Sequence, residues 1–259
     1  MSMDVIKNSD FIISLATCFK NDNEKKILED IKSFEGQFVF MHPIDNNELK
    51  SVYSQFIKYE VGSEEGICTM LLDTFTQNID SNLNDFIEDL DIGYISAESS
   101  AGEEEFEEAL QKYQEASSRT LIVGSDIKNH PRIENILKLL FVIKKYSDFN
   151  LVVLDKEIEN SINEINDENV EEIDDLSSYD GTISYFVSND EYVDNINASQ
   201  SFSRIAKVQD NDEVYVCFDD KKLKKIFKID ENLSGTVAIT NDTCDGYNFK
   251  KVKLLKVNA

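Results

Sequence analysis

Few residues in this chain can move a proton or hold a soft metal near neutral pH. There are two histidines, His42 and His130, and four cysteines, Cys18, Cys68, Cys217 and Cys244. The cysteines are scattered and never form Cys-x-x-Cys, so they read as reduced thiols rather than as a disulfide framework or a zinc or iron–sulfur ligand set. Three short segments follow apolar runs: Thr17-Cys18-Phe19-Lys20, His42-Pro43-Ile44-Asp45 and Gly124-Ser125-Asp126. In parallel α/β sheets ligands bind beyond the carboxyl ends of the strands. Thr17, Cys18, His42, Asp45, Gly124, Ser125 and Asp126 are therefore the candidate ligand-binding positions. Cys18 and His42 on adjacent strands would form a nucleophile–base pair, although no third group to orient the imidazole is readable. A nucleotide is the other occupant such edges suggest, but there is no G-x-G-x-x-G and no Walker-type lysine. His130, just before Pro131, reads as a surface or capping histidine.

Two charge runs stand apart from these positions. Residues 155–180 hold 11 Asp/Glu against Lys156 alone. They lack the D-x-D-x-D-G spacing of a calcium loop and read as a solvated acidic tract. Lys221, Lys222, Lys224, Lys225 and Lys228 cluster near the C-terminus and form a candidate docking patch for an acidic partner, in a short basic helix or a loop.

The elements that must position these residues follow from hydropathy patterning. Phe11–Ala16, Phe38–Met41, Thr120–Val123 and Asn150–Leu154 are short apolar runs, the mark of strands buried on both faces. Between them lie amphipathic stripes: Ile27, Ile31 and Phe34; Leu49, Val52, Tyr53, Phe56 and Ile57; Phe106, Ala109, Leu110 and Tyr113; and Ile133, Ile136, Leu137, Leu140 and Phe141. Each has helical spacing. Residues 62–118 read as helical throughout. Ser63 is placed to cap one helix, Ser100–Glu103 fits a capping box for another, and Pro131 suits a first helical position. Strand–helix alternation with short loops means a parallel sheet with right-handed crossovers. Beyond the acidic tract, Thr182–Val187, Glu213–Phe218, Thr236–Ile239 and Phe249–Val257 are strands of mixed pattern. The expected organisation is an α/β region over 1–155, divisible near residue 60, an acidic linker over 156–180, and a small β-rich module over 181–259.

Length and charge bound the function. The 259 residues are enough for one large domain or two small ones with a real core. With 51 acidic and 26 basic residues the net charge is −25, which disfavours phosphate backbones and anionic membrane surfaces. The charge is uneven: residues 201–259 carry a net +2 and residues 1–200 a net −27. No apolar window reaches the roughly 18 residues of a membrane span. Met1-Ser2-Met3-Asp4 lacks the basic start of a secretory signal, so a cytoplasmic location is expected.

The order of segments resembles a known superfamily. Ser9–Leu15 followed by Phe38–Pro43 resembles a Rossmann-like segment of the molybdopterin oxidoreductases. Ala101–Phe106 with Thr120–Asp126 resembles their next α/β segment. Val208–Val216 and Leu233–Ala238 are similar to strands of their C-terminal dinucleotide-binding β-barrel. Tyr59–Gly66 and Val123–Arg132 narrow the likeness to the large iron–sulfur subunit of bacterial complex I, the respiratory NADH-quinone oxidoreductase. The resemblance implies a Rossmann-like parallel sheet flanked by helices with a β-rich C-terminal module. It also implies a subunit whose iron–sulfur clusters sit on N-terminal cysteine motifs that this chain does not contain, and a fold that has lost its molybdenum. The expectation is a non-catalytic scaffold of the respiratory peripheral arm. It would hold no cofactor in this chain, dock neighbouring subunits, and lie peripheral to the inner membrane through them. The alternatives are a stand-alone nucleotide- or small-molecule-binding protein, and a fragment of an active molybdopterin oxidoreductase such as a formate dehydrogenase.

Overall fold

Phe11–Leu15 (β1) has all five residues buried, as a strand with helices on both faces requires. Residues 2–79, 81–173, 175–176 and 179–257 are described by the structure, a computed structural model. The chain divides into two compact units. The first is Met1–Thr17, Lys26–Pro43 and Glu48–Ser178; the second is Cys18–Lys25, Ile44–Asn47 and Tyr179–Ala259.

In the first unit, helix α1 (Ser2–Lys7) leads into β1, and α2 (Lys25–Lys32) leads to β2 (Gln37–Met41) and β3 (Gln55–Ile57). Four helices follow: α3 (Glu64–Phe75), α4 (Ser81–Glu88), α5 (Ile92–Ser99) and α6 (Glu103–Glu115). Then come β4 (Arg119–Val123), α7 (Ile133–Tyr146), β5 (Phe149–Val153) and α8 (Lys156–Glu164). The five strands form one parallel sheet in the order β3-β2-β1-β4-β5. The order reverses at β1, whose neighbours β2 and β4 lie on opposite sides of it. An aromatic cluster anchors one end of the core, with the Tyr113 ring 5.8 Å from Phe11, 5.1 Å from Phe75 and 4.9 Å from Phe149.

The helix expected over Leu49–Ile57 does not form. Asn47–Leu49 is a single 3-10 turn, and Gln55–Ile57 joins the sheet as its edge. The Ser54 amide donates to the Phe38 carbonyl at 2.8 Å, while Phe56 and Tyr53 stack on Phe40 at 5.3 and 6.0 Å. Pairing with β2 thus overrides the periodicity, and a segment rich in aromatic and β-branched residues suits it. The capping box of α6 sits two residues later than expected: the Glu105 carboxylate accepts the Gly102 amide at 2.9 Å. Ser100 instead ends α5 in the left-handed region at φ 54°. Pro131 lies just outside α7, whose N-cap is Arg132.

The acidic stretch carries α8, with Ile158 and Ile162 buried and its first amides accepted by the Asp155 carboxylate. Further on, the Glu171 amide donates to Asn135 Oδ1 at 2.8 Å. Residues 174, 177 and 178 of this stretch lie outside the described residues.

The second unit contains β6 (Ile183–Val187), β7 (Asn195–Ala198), α9 (Gln200–Ala206), β8 (Glu213–Phe218), β9 (Lys221–Ile229), β10 (Val237–Asn241), β11 (Phe249–Lys251) and β12 (Lys253–Lys256). Its sheet runs β11-β6-β10-β7-β9-β8-β12. The two end strands, β11 and β12, are separated in the chain by Val252 alone, so the sheet curls until its ends meet. Phe186, Ile196, Phe202, Val214, Val216 and Phe227 fill the interior. The lysine-rich segment is therefore a strand, neither helix nor loop. It pairs in register with β8 and puts Phe227 into the core. Among the described residues, no helix is long and apolar enough to cross a membrane.

Candidate functional site

The carboxyl ends of β1, β2 and β4 in the first unit gather most of the expected positions. His42 extends β2, and its Nε2 lies 3.2 Å from Asp126 Oδ2, both side chains being essentially inaccessible. The Asp126 amide donates to the Ala16 carbonyl at 3.0 Å, and the Gly124 amide donates to the Leu15 carbonyl at 2.8 Å. The loops leaving β1 and β4 are thereby stitched together at the point where the strand order reverses. That point is where an open α/β sheet normally leaves a ligand crevice. A Cβ on Gly124 would stand 2.0 Å from the Ala16 carbonyl oxygen and 2.3 Å from Thr17 Cβ, so backbone approach occupies the space itself. Ala16 achieves this at φ 55°. That conformation costs a non-glycine residue about 1 kcal/mol or more and persists only where the surroundings enforce it. Ser125 is half-buried between these anchored residues.

A second buried pair adjoins the first. His130 is 2% exposed, which corrects the expectation of a surface position. The Arg132 amide donates to its Nδ1 at 3.1 Å, so that nitrogen is bare and the ring proton sits on Nε2. From there it donates to the Gly62 carbonyl at 3.1 Å, with Glu64 Oε2 at 3.4 Å. Glu64 and Glu65 open α3, where the helix dipole favours negative charge. Glu65 receives the Arg132 Nε at 3.0 Å and the Asn135 amide at 2.6 Å. The Tyr59 phenol is held well above its ordinary pKa by burial and then by the Glu64 and Asp126 charges, so it stays protonated. Burial, followed by Glu64 and Glu65, pushes the Cys68 thiol up, which keeps it from acting as a nucleophile.

The remaining candidates lie in the second unit. Cys18 Sγ donates to the Ile44 carbonyl at 3.7 Å, and the Asn46 amide donates to the Cys18 carbonyl at 2.8 Å. The Asn189 amide donates to the Lys20 carbonyl at 2.7 Å, and the Ser188 amide to Asn21 Oδ1 at 2.9 Å. Asp45 is half-buried in the same unit. The segments that leave β1 and β2 are thus built into the fabric of the second unit. Cys18 and His42 belong to different units and have different partners. Among the described residues there is no group of three or more His, Cys, Asp or Glu placed to hold a metal.

The lysine patch is not one surface. Lys225 is buried, its Nζ bonded to the carbonyls of Val193 and of Asn241 (2.8 Å), and burial lowers its pKa. Lys221 pairs with Asp245 at 3.2 Å, and Lys228 donates to Asn211 Oδ1 at 2.5 Å. By strand alternation Lys222, Lys224 and Lys228 fall on the outward face of β9, and Lys222 and Lys224 are exposed there.

Tyr59, Glu64, Glu65, Arg132 and Asn135 are absent from the candidates that strand-end reasoning gives, although Tyr59–Gly66 and Val123–Arg132 are the two phrases that carry the narrower resemblance. The fold brings those phrases into one buried cluster. No family model matches the chain, and no curated protein matches it.

Proposed function

We propose that this chain is a non-catalytic scaffold, the molybdopterin-oxidoreductase-like portion of the large iron–sulfur subunit in the peripheral arm of a bacterial NADH-quinone oxidoreductase. It would hold a cluster-bearing domain, dock neighbouring subunits, carry no cofactor of its own, and reside in the cytoplasm against the inner membrane through those partners.

The observation that carries the non-catalytic part is the closure at the β1/β4 reversal. Two backbone hydrogen bonds and the Gly124–Ala16 approach fill the place a dinucleotide or pterin phosphate would take. A pterin would have to part these loops to bind between them. The side chains with proton chemistry, His42 and Asp126, are spent on each other. Supporting the likeness to the respiratory subunit, the two phrases that suggest it pack together through His130, Gly62, Glu65 and Arg132. The curled β-rich second unit agrees with the C-terminal module that the resemblance implies.

The test is affinity purification of the tagged full chain from its own cells, followed by native electrophoresis and mass spectrometry. The expected result is stoichiometric recovery of respiratory NADH-quinone oxidoreductase subunits. Recovery of the folded chain alone, with a nucleotide raising its melting temperature, would overturn the proposal in favour of a small-molecule-binding protein.

A further inference from the structure

We infer that the outward face of β9, β8 and β12 is a docking platform for a short acidic segment of a partner protein, one that alternates carboxylates with apolar side chains. The strand register draws the surface. Lys222 lies opposite Cys217, which lies opposite Lys253; Lys224 lies opposite Tyr215, which lies opposite Leu255; and Ile226 lies opposite Glu213. These residues alternate with the buried Val214, Val216 and Leu254, so they point away from the core. Three strands at about 4.8 Å spacing and three rows at about 6.8 Å per two residues make a patch roughly 10 by 14 Å.

Its chemistry is mixed in a specific way. Ile226 and Leu255 are 37% and 41% exposed, unusual for large apolar residues, and Tyr215 lies half-buried between them. Lys222 is exposed, and its Nζ sits 3.7 Å from the Tyr215 ring centroid in a cation–π pair. Lys224 already pairs with one carboxylate, that of Glu213 at 3.0 Å, as an exposed and weakly held pair. The patch carries three lysines, Lys222, Lys224 and Lys253, against this single Glu213. The patch is thus a local reversal of sign on a chain of net charge −25.

Size and surroundings select the partner. A nucleic acid or an anionic bilayer extends far beyond 14 Å and would meet the field of a chain whose net charge is −25. A peptide of about five extended residues spans about 14 Å and matches the patch, keeping its carboxylates within a Debye length of about 8 Å of the lysines. Apolar side chains on the same segment would cover Ile226 and Leu255.

The inference rests on the scaffold proposal only in requiring a protein partner, and its test is separate from the co-purification above. Fluorescein-labelled Asp-Leu-Glu-Phe-Asp-Leu-Glu and its neutral analogue Asn-Leu-Gln-Phe-Asn-Leu-Gln are titrated with the full chain by fluorescence anisotropy. The acidic peptide should bind saturably, more tightly than the neutral one, and more weakly as salt rises. Lys222→Glu with Lys224→Glu should weaken it roughly tenfold, as should Leu255→Glu, with melting temperature unchanged, whereas Ile205→Glu on α9 should not. Equal binding of both peptides, or equal binding by the reversal variants, would overturn the inference. So would tighter binding of phosphatidylserine vesicles or oligothymidine that the same reversals abolish. Failure here would leave the co-purification result, and the scaffold proposal with it, untouched.

Discussion

Replacing Gly124 by Ala tests the closed crevice directly. The added methyl would lie 2.0 Å from the Ala16 carbonyl oxygen, 2.6 Å from the Ala16 carbonyl carbon and 2.3 Å from Thr17 Cβ. Two of these are backbone atoms, which cannot rotate aside as a side chain would. Gly124 has no positive φ, so the cost is steric and not conformational. The ends of β1 and β4 must part by about 1.4 Å to bring the 2.0 Å approach out to ordinary contact. That opening strains the Gly124→Leu15 and Asp126→Ala16 hydrogen bonds, at 2.8 and 3.0 Å. Overpacking costs about 1–3 kcal/mol, and each weakened bond adds about 0.5–1 kcal/mol. We therefore expect a loss of about 3 kcal/mol, which lowers the melting temperature of the first unit by about 6–12 °C. Gly93→Ala is the internal control. It lies near the start of α5, where a methyl would meet only side-chain carboxylate oxygens at 3.6 and 3.9 Å. That change should raise stability by about 0.5–1 kcal/mol. Both are read by differential scanning calorimetry with urea titration. A Gly124→Ala protein that melts within about 1 °C of the parent would refute the closure, and with it the chief argument against a ligand at the strand ends.

Three further outcomes are expected. The buried Cys68 and Tyr59 have pKa values raised above the ordinary 9.0 and 10.0, so both favour the protonated form in the folded state. Their contribution is fully present below about pH 9 and is lost as pH rises beyond it; a melting temperature that stays flat to pH 10.5, or an alkaline limb that Cys68→Ala does not flatten, would contradict this. Arg132→Ala leaves Glu65 to Asn135 and releases the contacts to Glu171 and the Glu172 carbonyl. It should cost about 2 kcal/mol and speed cleavage near Glu171 by a glutamate-specific protease, and an unchanged cleavage rate would show that the segment is held otherwise. Asp155→Ala removes the acceptor for the Glu157 and Ile158 amides at the start of α8, and circular dichroism should record a loss of about 1 kcal/mol.

Much of the first unit is legible in the sequence because its strands have no solvent face. Runs such as Phe11–Leu15 and Phe38–Met41 are apolar at every position or nearly so, a pattern that suits a strand sandwiched between helices. The second unit's strands are legible more loosely, from mixed alternation. Leu49–Ile57 misleads because helical and edge-strand spacings share their apolar positions over so few residues. What decides it is the availability of β2 as a partner, which lies 16 residues away from Ser54 in the chain. Lys221–Ile229 misleads for a related reason. Lysine and apolar residues there alternate imperfectly, and only pairing with β8 makes Leu223 and Phe227 one face and Lys222 and Lys224 the other.

The α/β class, the parallel arrangement and the acidic character are legible before any fold is known, because they follow from local periodicity and composition. So are the strand-end residues, since a strand's end is a local event. The partners of those residues come from long-range contacts. Asp126 reaches His42 across 84 positions and Arg132 reaches Glu65 across 67. Cys18 and Asp45, adjacent in pattern to Thr17 and His42, were drawn into the second unit. A side chain's type states which partners it accepts, but burial and a partner within about 3 Å are made by the fold, as they are for His42 and Asp126.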